Sequence, residues 1–564
     1  MLIYFLIGMA CAGLAVAGWS KLYPTPYPGI PYNEASAKRI SGDIPDLIPV
    51  IKAKNEFSIS VFTVTTRKLG TPIAQLLFPG IRKPLIVLED PREIEDVLMR
   101  RNKEFDKAPM SIDLIGPMFP EGTISQYTTP KLRAQKRLWA DVMSTEFLRK
   151  AAAPNIHKAA LQLIELWALK SSTIYQDKAF HVYDDFLNSA LDAIWVAVVG
   201  EEPGVTSYNI KKVQSQISGN DMNTEPLPRG LFLKKEIAYI GDMLAKNSES
   251  PVPKWAQRME TLTPRYRQFR RIVTTEITRT MRTAVERFER LQTGNLEVGD
   301  HDTCMMDMVL RKQVLEAKKT GKPMTDPTKD PAMIDELFTM LVGGHDSTAN
   351  ALTWFVRFLE AYPAVQTELR AALKTAFQTD RPSVDEILGT DIPYLQATCE
   401  ESFRLAGVAK GNLRQALVDT EILGCQIPKG AEIFMNFHVD RSPVTVDPSR
   451  RGAGSLATID KHGDGFLDKS GRDLATFEPR RYLTLNSDTG KEVFNHFALP
   501  SLAFGGGFRG CPGRKLATME FRIIATLLVL NFEFLALPES LRAWSASERT
   551  FRRPDMPYAR LRSI

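Results

Sequence analysis

Residues 504–517 read FGGGFRGCPGRKLA, placing one cysteine in a loop with five glycines, one proline and three basic residues. Two chemistries call for that much backbone freedom around a sulfur. Gly505, Gly507 and Gly510 spell the G-x-G-x-x-G of a phosphate cradle, which needs a second strand ending in an acid about twenty residues on. Only fifty-four residues follow Gly510, and they hold a helical stretch (516–532) and a polar tail, so no such unit can be completed. A metal thiolate explains more positions. Cys511 precedes Pro512, a residue favoured at the first helical position, so the sulfur is expected at a helix N-terminus whose dipole and free N–H groups favour the anion. Glycines would let the backbone lie flat against a planar ligand. Arg509 could reach a carboxylate on that ligand, and Phe504 could cover its face.

The run Phe504-x-x-Gly507-x-Arg509-x-Cys511-x-Gly513 resembles the haem-binding loop of the cytochrome P-450 family. The resemblance implies a mainly α fold with small β-sheets (α+β), haem b as cofactor, and Cys511 as the iron's thiolate ligand, with Phe504, Gly507, Arg509 and Gly513 as cofactor-binding residues. Two further constellations stand upstream of the loop. Glu401-Ser402-Phe403-Arg404 places opposite charges at i and i+3 on one helical face, and Phe477-Glu478-Pro479-Arg480-Arg481-Tyr482 resembles the family's F-x-P-x-R-[FY] segment. The resemblance joins Glu401, Arg404 and Arg481 in a structural triad behind the haem. Leu341 to Thr348, LVGGHDST, resembles the oxygen-binding motif, with Gly343 for the commoner alanine and Ser347 for the commoner threonine. Two glycines within a helix cost about 1 kcal/mol each relative to alanine, which suggests a kink or π-bulge there. Asp346, Ser347 and Thr348 are the catalytic candidates at that opening, whereas His345 reads as a packing residue. The family's W-x-x-x-R contact to a haem propionate aligns with Leu132-Arg133-Ala134-Gln135-Lys136, so Lys136 keeps the charge without the bidentate fork, and Arg414 is a second candidate.

The rest of the chain supports one large catalytic body. It has 564 residues, a net charge of +6 and no basic run interleaved with aromatics, so nucleic acid is not an expected partner. Its five cysteines (Cys11, Cys304, Cys399, Cys425 and Cys511) form no C-x-x-C pair, which excludes a zinc ribbon. Residues 2–19 carry no charge and as a helix would span roughly 27 Å, enough to cross a thin bilayer. A cleaved signal peptide is the alternative, opposed by the lack of a preceding basic residue and of any N-x-S/T sequon. The expected organisation is a transmembrane anchor at 2–19, a proline-rich linker at 20–39 standing the body off the membrane, and a haem-thiolate domain at 40–564. Two short strands are predicted within 72–90 around Pro79-Gly80, then a helix opened by Pro91. Helical stripes follow at 131–150, 155–169, 265–291 and 331–362, and strand signals return at 421–437. The segment 460–471 has oxygens at EF-hand-like spacing, but His462 and Gly471 break the pattern, and it reads as a solvated loop.

The resemblance implies a monooxygenase that inserts one atom of O₂ into an organic substrate. Electrons would come from an NADPH-dependent cytochrome P-450 reductase, to which Lys136, Arg137, Arg514 and Lys515 could present charge. The expected setting is the endoplasmic reticulum membrane, single-pass with the catalytic part cytosolic, in natural-product metabolism. Segment 110–127, with Ile112, Leu114, Ile115, Met118 and Phe119, points to an apolar small-molecule substrate. A haem-thiolate isomerase or dehydratase, which commonly lacks the acid–alcohol pair, and a non-catalytic haem sensor are the alternatives.

Overall fold

A computed structural model describes residues 21–564 except 81, 221–224, 249, 251, 294–302, 322–323, 325 and 463–472. The expected anchor at 2–19 lies outside these residues. Among the described residues no helix is long and apolar enough to cross a membrane.

Local chemistry sets the element boundaries. Helix α1 (Pro91–Met99) has proline in its first turn, and the Asp90 side chain accepts from the N–H groups of Arg92 and Glu93 at 3.0 and 3.1 Å. The long helix α4 (Pro331–Ala361) starts in the same way, with Asp330 accepting from Ala332 N–H at 2.9 Å. The helix expected at 131–150 is shorter: α2 (Pro130–Leu138) ends early and brief turns follow to residue 152. Helix α3 (Tyr183–Val199) packs against α4, α5 (Pro393–Ala406) carries Glu401, and α7 (Arg514–Asn531) follows the cysteine. Tryptophans 167, 195 and 354 and phenylalanines 186, 269, 338, 355 and 521 fill the helical core.

One five-stranded sheet flanks this core, in the order β1 (Ile73–Leu76), β2 (Leu85–Leu88), β5 (Glu432–Asn436), β4 (Gly411–Ala416), β3 (Phe105–Lys107). Only β2 and β5 run parallel, with Leu85 opposite Glu432. The turn before β5 uses Gly430 at φ +83°, and Ala431 N–H donates to the Pro428 carbonyl at 3.0 Å.

The proline-rich stretch is no free spacer. Gln75 in β1 accepts from Tyr27 N–H at 2.8 Å and donates to the Ile30 carbonyl at 2.8 Å, while its own N–H donates to Pro31. A buried glutamine must find such partners, and the chain before residue 40 supplies them. The start of segment 460–471 also departs from the expected loop. Residues 460–462 close helix α6 (Ala453–His462), and His462 is buried. Residues 463–471 lie outside the described residues.

Candidate active site

The cysteine loop folds back on itself, with Cys511 N–H donating to the Phe504 carbonyl at 2.9 Å and Gly510 N–H to Gly507 at 3.0 Å. Gly505 and Gly507 hold φ of +64° and +61°, a region that a Cβ penalises. The close approach at Gly507 comes from α1: a Cβ there would sit 2.0 Å from the Leu98 carbonyl oxygen. The glycine demand at 507 is therefore made by the protein behind the loop, where flatness toward a ligand was expected. Pro512 does not open the helix either, since α7 begins at Arg514 with Gly513 as its N-cap. Cys511 is exposed at its surface, yet the protein around it pushes the thiol above its ordinary range by burial, against the Gly513 and Arg514 N–H groups and the Arg514 charge. Coordination to a bound metal cation would favour the thiolate further.

A cavity of about 790 Å³ opens over this loop, lined by Cys511, Phe504, Gly505, Lys136, Met340 and Trp139 among others. Cys304, Cys399 and Cys425 are buried, so Cys511 is the one described cysteine that opens onto such a space. Phe504 meets Phe403 edge-on at 5.2 Å and lies beneath the Arg514 guanidinium, 5.7 Å away.

Of the expected carboxylate-holding cations, only Lys136 lines the cavity, bonded to the Phe508 carbonyl and lying 4.4 Å over the Phe508 ring. Arg509 stands behind the wall, with Asp106 at 3.1 Å, the Gln126 carbonyl at 2.7 Å and Thr128 at 3.1 Å. Arg414 is buried and donates to the Leu413 carbonyl. The sequence did not point to Lys107, which faces Arg414 directly across the β3–β4 ladder. Like charges so placed repel. Burial, then Arg509 and Arg414, bring the Lys107 ammonium down to about 7, and burial with Arg509 brings Arg414 down to about 10. Burial lowers Lys136 and Arg509 as well. Lys107, Arg414 and Arg509 thus share one carboxylate, Asp106, while Lys136 faces Glu336. A planar dicarboxylate with an iron centre fits this corner: the sulfur for the metal, the excess charge for the acids.

Behind α5 the triad residues meet. Arg404 donates twice to Glu401, Nε to Oε2 and Nη2 to Oε1, both at 2.7 Å, and Arg481 Nε reaches Oε1 at 3.0 Å. The Glu478 N–H adds a further bond at 3.0 Å. Glu401 is fully buried, and two guanidiniums with a backbone donor satisfy its oxygens.

The motif in α4 is arranged differently from the expectation. The helix runs through 343–344 as α-helix, without the predicted π-bulge. A Cβ at Gly343 would meet nothing within 4 Å, whereas one at Gly344 would strike Ile194 of α3 at 2.7 Å. Gly344 is a helix-packing position and Gly343 faces open space. Ser347 Oγ donates to the Gly343 carbonyl at 2.6 Å. Asp346 turns toward α3, accepting from Tyr183 Oη at 2.7 Å and from Asn350 at 2.8 Å. Thr348 is buried against α7, bonded to the Gly344 carbonyl at 2.8 Å and 3.5 Å from Glu520. Glu336 and Met340 supply the α4 wall of the cysteine cavity, and the three expected catalytic residues lie about two turns further on, outside its lining. His345 is buried with Nδ1 2.6 Å from the Leu341 carbonyl. Met118 and Phe119, expected near substrate, belong to the core, Phe119 against Phe338 at 5.4 Å.

Comparison with known proteins agrees with this arrangement. The family profile for cytochrome P-450 matches residues 56–439 and 475–553. The cytochrome P-450 monooxygenase TRI13 of Fusarium sporotrichioides is 29% identical, over 96% of this chain and 96% of that protein. The monooxygenase xilC of Penicillium crustosum is 30% identical, over 96% of this chain and 93% of its own length. A crystal structure of a cytochrome P-450 (CYP102L1) superposes with a TM-score of 0.66 at 16% identity, covering 96% of this chain and all of that one. With its thiol loop, its buried Glu–Arg–Arg cluster and this match across most of its length, the chain belongs to the cytochrome P-450 family of haem-thiolate monooxygenases.

Proposed function

We propose that this protein is a membrane-anchored haem-thiolate monooxygenase of natural-product biosynthesis, with Cys511 as the ligand of the haem b iron. The observation that carries the reading is Cys511 itself, the described cysteine exposed at the foot of a cavity that adjoins an over-charged cationic corner. Bound haem supplies the electron-transfer and O₂ chemistry. The N–H groups of Gly513 and Arg514 point at the sulfur and hold its charge. Lys136 at the cavity wall would hold a haem carboxylate, with Arg414, Arg509 and Lys107 supplying positive charge behind it. Asp346 and Ser347 are the proton-handling pair, the carboxylate held between Tyr183 and Asn350 and the hydroxyl seated on the Gly343 carbonyl. Glu401, Arg404 and Arg481 lock the fold behind the haem.

The substrate is an apolar small molecule, and the fungal relatives support a secondary-metabolite setting. Residues 2–19 anchor the protein in the endoplasmic reticulum membrane with the body at 40–564 cytosolic, where an NADPH-dependent reductase provides electrons. Reduced wild-type protein under carbon monoxide is expected to show the strongly red-shifted Soret band of thiolate-ligated haem, and Cys511→Ser to lose it. A folded, haem-loaded wild type without that band overturns the assignment. NADPH and O₂ consumption with a co-expressed reductase separates the monooxygenase from an isomerase, which consumes neither.

A further inference from the structure

The segment 440–474 falls outside the residues that match the family profile, yet its described residues pack onto the back of the cysteine loop through α1. Its helix α6 is fastened to α1 along the whole length. Arg451 bridges Asp90 at 2.6 Å and Glu93 at 2.9 Å, all three buried. Gly454 presses on Asp96 so closely that a Cβ would lie 1.9 Å from its Oδ1. Arg100 donates to Thr458 at 2.9 Å. In the last turn of α6, Lys461 Nζ reaches Glu95 Oε1 at 2.8 Å and His462 Nε2 lies 2.7 Å from Glu95 Oε2. The other ring nitrogen of His462 is 2.8 Å from the Phe497 carbonyl, in the strand of chain that runs into the loop. Both ring nitrogens thus face oxygen acceptors. At its far end, α1 meets the loop itself: Gly507 N–H donates to Met99 Sδ at 3.1 Å, and the Leu98 carbonyl fills the space a Cβ at 507 would need.

We infer that Glu95, Lys461 and His462 form a clamp that positions the iron-binding thiolate by holding α1 against residues 505–507. The inference rests on Cys511 being the ligand. Glu95 is buried, which alone would raise its carboxyl, but His462 and Lys461 outweigh that and bring it down to about 2. The charge is therefore present throughout the neutral range, and the clamp stays closed. All three line the edge of the cavity over Cys511, and none bonds to the sulfur, so they act on it by fixing the shelf on which the loop rests.

The test separates thiolate ligation from global folding. Haem-loaded wild type, Glu95→Gln and His462→Gln are titrated with guanidinium chloride, following the red-shifted carbon monoxide band and the far-ultraviolet helical signal. Both variants are expected to lose the red-shifted band at clearly lower denaturant than wild type, with the helical transition moved much less. Thr458→Val, which leaves Arg100 only its Asp96 partner, should give a smaller shift of the band in the same direction, and it serves if Glu95→Gln does not fold. Lys158→Gln, which breaks an exposed ion pair with Glu202, should leave the band where it is. The inference is overturned if the band does not move, or if band and helical signal move together by the same amount. A wild type lacking the red-shifted band instead overturns the Cys511 assignment, and the clamp with it.

Discussion

The cysteine loop and the middle of α4 carry sequence motifs of similar length, and the fold treats them in opposite ways. In the loop, successive residues converge: the Phe504 carbonyl, the Gly507 turn and the Gly513 N-cap all close around one sulfur. In α4 a contiguous run is dispersed, because each residue turns about 100° from the last. Gly343 and Ser347 share the open side, Gly344 and Thr348 face α3 and α7, and Asp346 is taken by Tyr183. A loop motif can therefore be read as one site. A helical motif has to be divided by face before any of its residues is given a role.

The largest way to break the comparison lies behind the loop. Glu401→Ala leaves two guanidiniums facing a buried site with no anion, a loss of about 3 to 5 kcal/mol. Little folded holoprotein is expected, read from haem content per protein. Normal haem incorporation would mean that the convergent region does not depend on the triad.

The division of α4 by face is sharpened by a matched pair. Gly344→Ala sets a methyl 2.7 Å from Ile194 Cγ1 and should destabilise the protein by about 1 to 2 kcal/mol, the overpacking cost less the gain in helix propensity. Gly343→Ala meets open space and should stabilise the helix by up to about 1 kcal/mol. Chemical denaturation of the two variants gives the sign of each. Equal effects would show that the two glycines are not on different faces in energetic terms.

The last test concerns Glu520, buried on α7 beneath Thr348. Burial raises its carboxyl to about 8, with the Thr348 hydroxyl pulling the other way, and its Oε1 has no hydrogen-bond partner among the described residues. The folded state therefore binds the proton more tightly than the unfolded chain, whose ordinary value is 4.5. Below about 4.5 both states are protonated and the contribution to stability is fully present. As pH climbs from there to about 8 the unfolded state ionises first, and that contribution is lost. Thermal melts across this window should fall with pH in wild type and flatten in Glu520→Gln. An unchanged slope would mean that Glu520 is ionised in the fold.

The sequence alone determined what local chemistry fixes. The strands around Pro79-Gly80, the Asp-Pro starts of α1 and α4, the cysteine loop and the i, i+3 pair of Glu401 and Arg404 depend on residues adjacent in the chain, and their spacing is written there. Tertiary structure decided whatever needs a partner from elsewhere. Gly507 is glycine because Leu98 presses on it, Gly344 because Ile194 does, and Lys107 joins the cationic corner only because β3 pairs with β4. His462 reads as a loop residue until α1 brings Glu95 beneath it. Burial and charge pairing are properties of packed surfaces, and no one segment holds both of the surfaces that meet.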